Sequence, residues 1–146
     1  MGVGQIALRL ISKSLTQMQE ATSKSVWLEE LRFLEGYSDF FSHHFQSRPV
    51  CSEFQSSTGE EIESKRWSKG RNIVEVYISK GDVTNISIKL ELGHLDRNLL
   101  RALCDFALIN SCLFISLDDL EQIPADEEKL RKAINSSRAS QIFQHQ

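Results

Sequence analysis

The sequence Ser-Lys-Gly-Arg-Asn-Ile-Val-Glu-Val-Tyr-Ile-Ser-Lys-Gly-Asp, residues 68–82, places the tripeptide Ser-Lys-Gly on both sides of an apolar run. Within the run, apolar side chains recur at every second position, at Val74, Val76 and Ile78, which is typical of a half-buried strand. A phosphate-binding loop needs glycines that lead directly into a helix. Here a strand pattern follows each copy, so we predict two hairpin turns, each a three-residue loop ending in a glycine with positive φ.

The same alternation continues over residues 86–92, where Ile86, Ile88, Leu90 and Leu92 are apolar and the residues between them are polar. Two earlier segments, residues 50–56 and 60–67, alternate less regularly and hold few large apolar residues. We therefore expect them toward the outside of the sheet, where charged side chains discourage unwanted pairing. Together the four segments predict an antiparallel four-strand meander over about residues 50–92.

Helices are predicted before the meander, because apolar residues recur there at steps of three and four. One helix is predicted over residues 7–21, although residues 6–11 also alternate, so a strand over that segment is the alternative. A second apolar stripe extends from Trp27 to Phe45 and is interrupted at Gly36. It fits either one kinked helix or two short ones.

After the meander, Asp96 is positioned to cap a helix whose apolar face includes Leu99 and Leu103. Residues 112–117 form a short apolar run that indicates a buried strand. Pro124 suits the first turn of a last helix, with Asp126 next in that turn. The order of elements predicts a single α+β domain, residues 1–146, with helices packed on one face of the antiparallel sheet and a short C-terminal strand.

Composition limits the classes of function. The chain of 146 residues has a formal net charge of −3, 40% hydrophobic residues and three cysteines, Cys51, Cys104 and Cys112. A net negative charge gives no long-range attraction to nucleic acid or anionic lipid. The odd number of well-separated cysteines indicates reduced thiols, and no segment has the pattern of a secretory signal or a membrane span. We therefore expect a cytoplasmic protein without membrane contact, and we do not expect nucleic acid as its partner.

Catalytic motifs are absent from the sequence, and no cofactor or metal site is predicted. The arrangement that could support chemistry is His94 with Asp96 at a strand-to-helix turn, with Cys51 or a serine to complete a nucleophilic set. Asp96 already has a structural explanation as a helix cap. A small enzyme using His94 and Asp96 is therefore an alternative and not the leading interpretation.

A basic segment precedes the opening stretch and contains Lys65, Arg66, Trp67, Lys69 and Arg71. Cations beside an aromatic ring are typical of single-stranded nucleic-acid binding. Three glutamates lie immediately before them, which instead favours a solvated hairpin of mixed charge.

Negative charge is more concentrated near the C-terminus, where six of the eleven residues 118–128 are acidic: Asp118, Asp119, Glu121, Asp126, Glu127 and Glu128. The last three fall at a helix start, where the helix dipole favours anions. The first three have no such explanation, and a cluster of this kind can speed association with a basic protein.

We therefore predict a non-catalytic protein-binding module, of the type of an immunity protein that neutralises a toxin with a basic surface. The alternative is a secretion-chaperone-like homodimer that binds a client protein.

Overall fold

The computed structural model describes residues 4–12, 36–137 and 140. Seven strands and three helices occur in these residues, in the chain order β1 Gln5–Ser12, α1 Tyr37–Phe45, β2 Val50–Gln55, β3 Glu61–Lys69, β4 Asn72–Ser79, β5 Asp82–Glu91, α2 Arg97–Ile109, β6 Cys112–Ser116, β7 Gln122–Ile123 and α3 Glu127–Asn135. The chain is a mixed α+β structure, as predicted.

The strands form one antiparallel sheet in the order β2-β3-β4-β5-β1-β6-β7. Strands β2 to β5 are the predicted meander, but a four-strand sheet was wrong because β1, β6 and β7 extend it to seven strands. Strand β1 lies between β5 and β6, with Gln5 opposite Glu91 and Leu8 opposite Ser116. These pairings join residues far apart in sequence, so local sequence patterns do not predict them.

The helix predicted from residue 7 is wrong over residues 7–12, which belong to β1; residues 13–21 lie outside the described part of the chain. Leu8 and Leu10 face the core under the helices, while Ala7 and Ile11, on the opposite side of the strand, are also buried. A strand buried on both faces is apolar at consecutive positions, so its pattern overlaps with that of a helix. Pairing with β5 on one side and β6 on the other makes this segment a strand and not a helix.

One main core lies between the sheet and the described helices. It contains alternate residues of β1, β4 and β5, and the helices cover it with Phe41 of α1, Phe106 of α2 and Ile134 of α3. Trp67 of β3 is fully buried there, and its indole N–H donates a hydrogen bond of 3.0 Å to Ser42 Oγ. The predicted packing of helices on one face is therefore observed for α1, α2 and α3.

Helix α1 begins directly after Gly36, whose φ of 73° is left-handed and marks the predicted interruption. The earlier part of that apolar stripe, including Trp27, lies outside the described residues.

Both Ser-Lys-Gly copies are hairpin turns, as predicted, but the loops have two residues and not three. Lys69 pairs with Asn72 around Gly70 and Arg71, and Ser79 pairs with Asp82 around Lys80 and Gly81. Lys80 and Gly81 have φ of 53° and 83°, the two positive values of a type I′ turn. The loops are shorter because strand pairing continues into the tripeptides, and the two turns lie at opposite ends of β4.

The C-terminal elements largely follow the sequence prediction. Asp96 caps α2 by accepting a hydrogen bond from the Leu99 N–H at 3.2 Å, and β6 forms within the predicted apolar run. Asp126 is the cap of α3 and not part of its first turn, because its carboxylate accepts from the Lys129 N–H at 2.9 Å. Pro124 therefore precedes the helix. None of the described helices is long and apolar enough to span a bilayer.

Candidate protein-binding site

The β6–β7 connection holds the first half of the acidic cluster in a tight turn. The Ser116 N–H donates to the Glu121 carbonyl at 2.9 Å, and the Leu120 N–H donates to the Ser116 carbonyl at 2.8 Å. These two bonds close the loop, so its residues 118–121 are all exposed. The turn presents three carboxylates and one leucine, and we call residues 118–121 the acidic turn.

Leu120 is unusual in two ways. Its side chain is 55% exposed, and its φ of 55° lies in the left-handed region. For an L-residue with a bulky side chain this conformation costs roughly 1–2 kcal/mol, which is why glycine or asparagine is common at such positions. Residues held at unfavourable angles cluster at sites of function, so this combination identifies Leu120 as a candidate contact residue.

The acidic residues around Leu120 differ from those of α3 in their surroundings. Within the described residues, the side chains of Asp118 and Glu121 form no ion pair. Their charges therefore remain available to a partner.

The second half of the predicted cluster is occupied within the fold. Asp126 is the α3 cap. Glu127 lies 3.6 Å from Arg97 and 3.3 Å from Arg101, both on α2, and Glu128 lies 3.6 Å from Lys132 one helical turn later. The structure thus divides the six predicted residues: Asp118, Asp119 and Glu121 belong to the acidic turn, whereas Asp126, Glu127 and Glu128 interact within α3 or with α2.

The structure does not bring Cys51, the nucleophile considered for the enzyme alternative, close to His94 and Asp96. Cys51 lies on the outermost strand, and the pairings of β2 to β5 place it about 20 Å from Glu91 at the end of β5, three strands away. His94 is exposed just beyond that end, and the Asp96 carboxylate is engaged as a cap.

His44, near the end of α1, lies within electrostatic range of the Asp96 carboxylate. Burial lowers the pKa of His44 below its ordinary value of 6.5, while the Asp96 carboxylate acts in the opposite direction. Within the part of the chain that the structure describes, no three His, Cys, Asp or Glu side chains are grouped to hold a metal ion.

Burial also changes the interpretation of the basic segment. Trp67, the aromatic ring that could have stacked on a base, is 0% exposed and forms part of the core. Lys65 lies 5.7 Å from the centre of the Tyr37 ring, and Arg66 pairs with Glu75 at 3.1 Å. These side chains serve the packing of β3.

A second acidic surface, which the sequence analysis missed, lies at the opposite edge of the sheet from β7. A groove of about 940 Å³ is lined there by strands β2 and β3 and by the turns at the same end of the sheet. Its charged lining residues are Glu53, Glu60, Glu61, Glu63 and a single cation, Lys80. The sequence signal was the run Glu60, Glu61 and Glu63, but its meaning depends on the register that places Glu53 opposite Glu63.

No protein-family model matches this chain, and neither curated proteins nor solved structures yield a match. We therefore base the functional proposal on the geometry alone.

Proposed function

We infer that this protein is a non-catalytic protein-binding module, an immunity-type inhibitor that neutralises a toxin through that toxin's basic surface. The observation that carries the proposal is Leu120, an exposed apolar side chain in a left-handed conformation, flanked by Asp118, Asp119 and Glu121. An exposed apolar side chain bordered by charged residues matches the apolar centre and polar rim of protein interfaces.

Electrostatics explains how such a site would work. Exposed charges act over about 10 Å at moderate ionic strength and mainly raise the rate of encounter. The leucine then supplies the short-range contact that slows dissociation. This division of roles makes the association rate sensitive to salt and the dissociation rate sensitive to Leu120.

The fold supports presentation of the acidic turn. Strand β7 has only two residues and pairs with β6 through Phe114 and Ile115. Phe114 and Ile123 are buried in that hairpin. The turn is therefore held on a packed base while its tip contacts solvent.

Association kinetics with the product of the adjacent gene, the natural candidate for the toxin, provide the test. We expect a one-to-one complex whose association rate falls as salt is added. Replacing Asp118 and Glu121 together by lysine should slow association at least tenfold, because the repulsion acts before contact.

The matched control replaces Asp39 and Asp105 by lysine, which changes the net charge equally on two exposed helical positions. That variant should associate within about threefold of the wild type. Equal slowing in both variants would contradict a role for the acidic turn, and turnover of a small substrate without any stable protein complex would contradict the proposed function itself.

A further inference from the structure

The outer strand β2 has the properties of a docking edge. All six of its residues, Val50–Gln55, are exposed, and among the described residues only β3 pairs with it. Its register with β3 is continuous, without a bulge to twist the edge away. The opposite edge strand, β7, is only two residues long, a length that discourages strand addition.

The direction of the free backbone groups on β2 follows from its turn. The Ser56 N–H donates to the Glu60 carbonyl at 2.8 Å, so these two residues form a hydrogen-bonded pair. Such pairs alternate along an antiparallel ladder, which makes Phe54 with Ile62 and Ser52 with Ser64 the next two. The N–H and C=O groups of Cys51, Glu53 and Gln55 therefore point away from β3, at the open edge.

The side chains of these three residues share a face with Glu61, Glu63 and Lys65 of β3, and Lys65 lies opposite Cys51 at the far end. Glu53 and Glu63 stand directly opposite each other at a non-hydrogen-bonded position, where side chains come closest. Two like charges in that position repel, which costs stability. Cationic side chains placed beside Glu53 would relieve this repulsion, and the groove lining adds Glu60 to the same negative region.

The other face of β2 carries two exposed apolar side chains, with Ser52 between them. Val50 is 66% exposed and Phe54 is 45% exposed, and both lie on the face opposite Glu53. Phe54 is held by an edge-to-face contact with Tyr77, with ring centres 6.4 Å apart. An added strand would thus meet carboxylates on one face and apolar side chains on the other.

We propose that the β2 edge binds an extended segment of another protein as an additional antiparallel strand, with basic side chains on the face of Glu53 and apolar side chains on the face of Val50 and Phe54. Main-chain hydrogen bonds from Cys51, Glu53 and Gln55 supply affinity, and the alternation supplies specificity. This surface lies at the other edge of the sheet from the acidic turn, about 29 Å across six strand spacings, so the inference is independent of the proposed function.

Charge favours a different protein over a second copy of this chain as the occupant. Antiparallel pairing of two β2 strands through their outward backbone groups, centred on Glu53, would bring Glu53 of each copy together, on a face already occupied by Glu61 and Glu63. The basic side chains of a different strand would instead be attracted to these carboxylates.

The test uses a blocked heptapeptide of alternating valine and lysine, titrated into isotope-labelled full-length protein. We expect saturable binding that weakens with salt and slows hydrogen exchange at the Cys51, Glu53 and Gln55 amides. The same peptide with glutamate in place of lysine should bind at least tenfold more weakly. In the antiparallel register the lysine N–H groups face β2, so methylating those nitrogens should weaken binding at least tenfold, whereas methylating the valine nitrogens should leave it within about threefold.

Two variants of the protein distinguish the contribution of the backbone hydrogen bond at residue 53 from the contribution of its charge. Glu53→Pro removes an outward N–H that β3 does not use and should weaken peptide binding at least tenfold, whereas Glu53→Gln removes only the charge and should weaken it about threefold. Asp118→Lys with Glu121→Lys should leave peptide binding unchanged, because the acidic turn is a different surface.

Several results would overturn the proposal: no saturable binding, equal binding of the glutamate peptide, unchanged exchange at the three amides, or insensitivity to methylation of the lysine nitrogens. So would a homodimer in sedimentation experiments that Glu53→Pro dissociates, since the edge would then serve self-association. The peptide arms use the wild-type protein, so the inference stays testable even if the proline variant does not fold.

Discussion

At the scale of single residues, the three cysteines differ in solvent exposure. Cys51 is exposed on β2, whereas Cys104 and Cys112 are buried. Burial raises the pKa of the Cys104 thiol to about 12 from its ordinary value of 9.0, and the nearby Asp126 and Asp105 carboxylates act in the same direction. The thiolate is the reactive form, so Cys104 is inert at neutral pH while the protein is folded.

This shift makes stability depend on pH in the alkaline range. Above about pH 9 the thiol ionises in the unfolded chain but stays protonated in the folded one until about pH 12. The unfolded state then binds fewer protons, so the free energy of unfolding falls as pH rises through this window. We expect Cys104 to contribute a loss on the order of 1 kcal/mol between pH 8 and pH 10.

Urea denaturation at the two pH values measures this contribution. Cys104→Ala is less stable overall because it leaves a cavity, but it should lose less stability between pH 8 and pH 10 than the wild type. Cys51→Ser, which changes an exposed thiol, should behave as the wild type does. Equal losses in all three proteins would contradict ionisation of Cys104 as the cause.

At the scale of elements, the β6–β7 hairpin places a leucine where its backbone conformation favours glycine, and such a mismatch can indicate function. Its turn places Leu120 at a φ of 55°, where glycine has no steric cost. We expect Leu120→Gly to raise the free energy of unfolding by about 0.5–1 kcal/mol, as relief of the steric cost exceeds the entropy that glycine adds to the unfolded chain. Chemical denaturation measures the change.

The control for this prediction is Leu120→Ala, which keeps the Cβ atom and should not stabilise the turn. If Leu120 is retained for binding, both variants should also weaken the complex with the toxin candidate, chiefly by faster dissociation. A glycine variant that is less stable than the alanine variant would contradict the steric explanation.

At the scale of the whole molecule, β1 connects the β2–β5 meander to the β6–β7 hairpin within one sheet. It pairs with β5 and β6 and contributes Leu8, which is 0% exposed, to the core. Its amides should therefore exchange only through global unfolding, whereas the outward amides of β2 should exchange almost without protection.

Native-state hydrogen exchange tests this contrast. Leu8→Ala removes buried methyl groups and should lower the protection of β1, β4 and β5 together by about 2–4 kcal/mol. The amides of Cys51, Glu53 and Gln55 should not change. Protection of these three amides to the level of β1 would show that the β2 edge is covered in the isolated protein.

The candidate sites differ in how far sequence could predict them. The acidic turn was visible in the sequence as an excess of charge at Asp118, Asp119 and Glu121. The left-handed backbone and the exposure of Leu120 could not be predicted, because they depend on the hydrogen bonds that close the loop. The groove at β2 was not predicted, because the repulsion between Glu53 and Glu63 exists only once the strands pair in that register.

By itself, the sequence determined the elements whose signals are local: the alternation of β4 and β5, the glycine turns on either side of β4, and the cap and apolar face of α2. Only the tertiary structure decided that residues 5–12 are a strand, since pairing with β5 and β6 buries both of its faces and overrides a helical spacing. It also decided which charges are occupied: Glu127 meets Arg97 and Arg101 through the packing of two helices, whereas Glu53 is left at an open edge. The physical reason is the same in each case, because local propensity acts between neighbours in sequence, while burial and charge pairing act between neighbours in space.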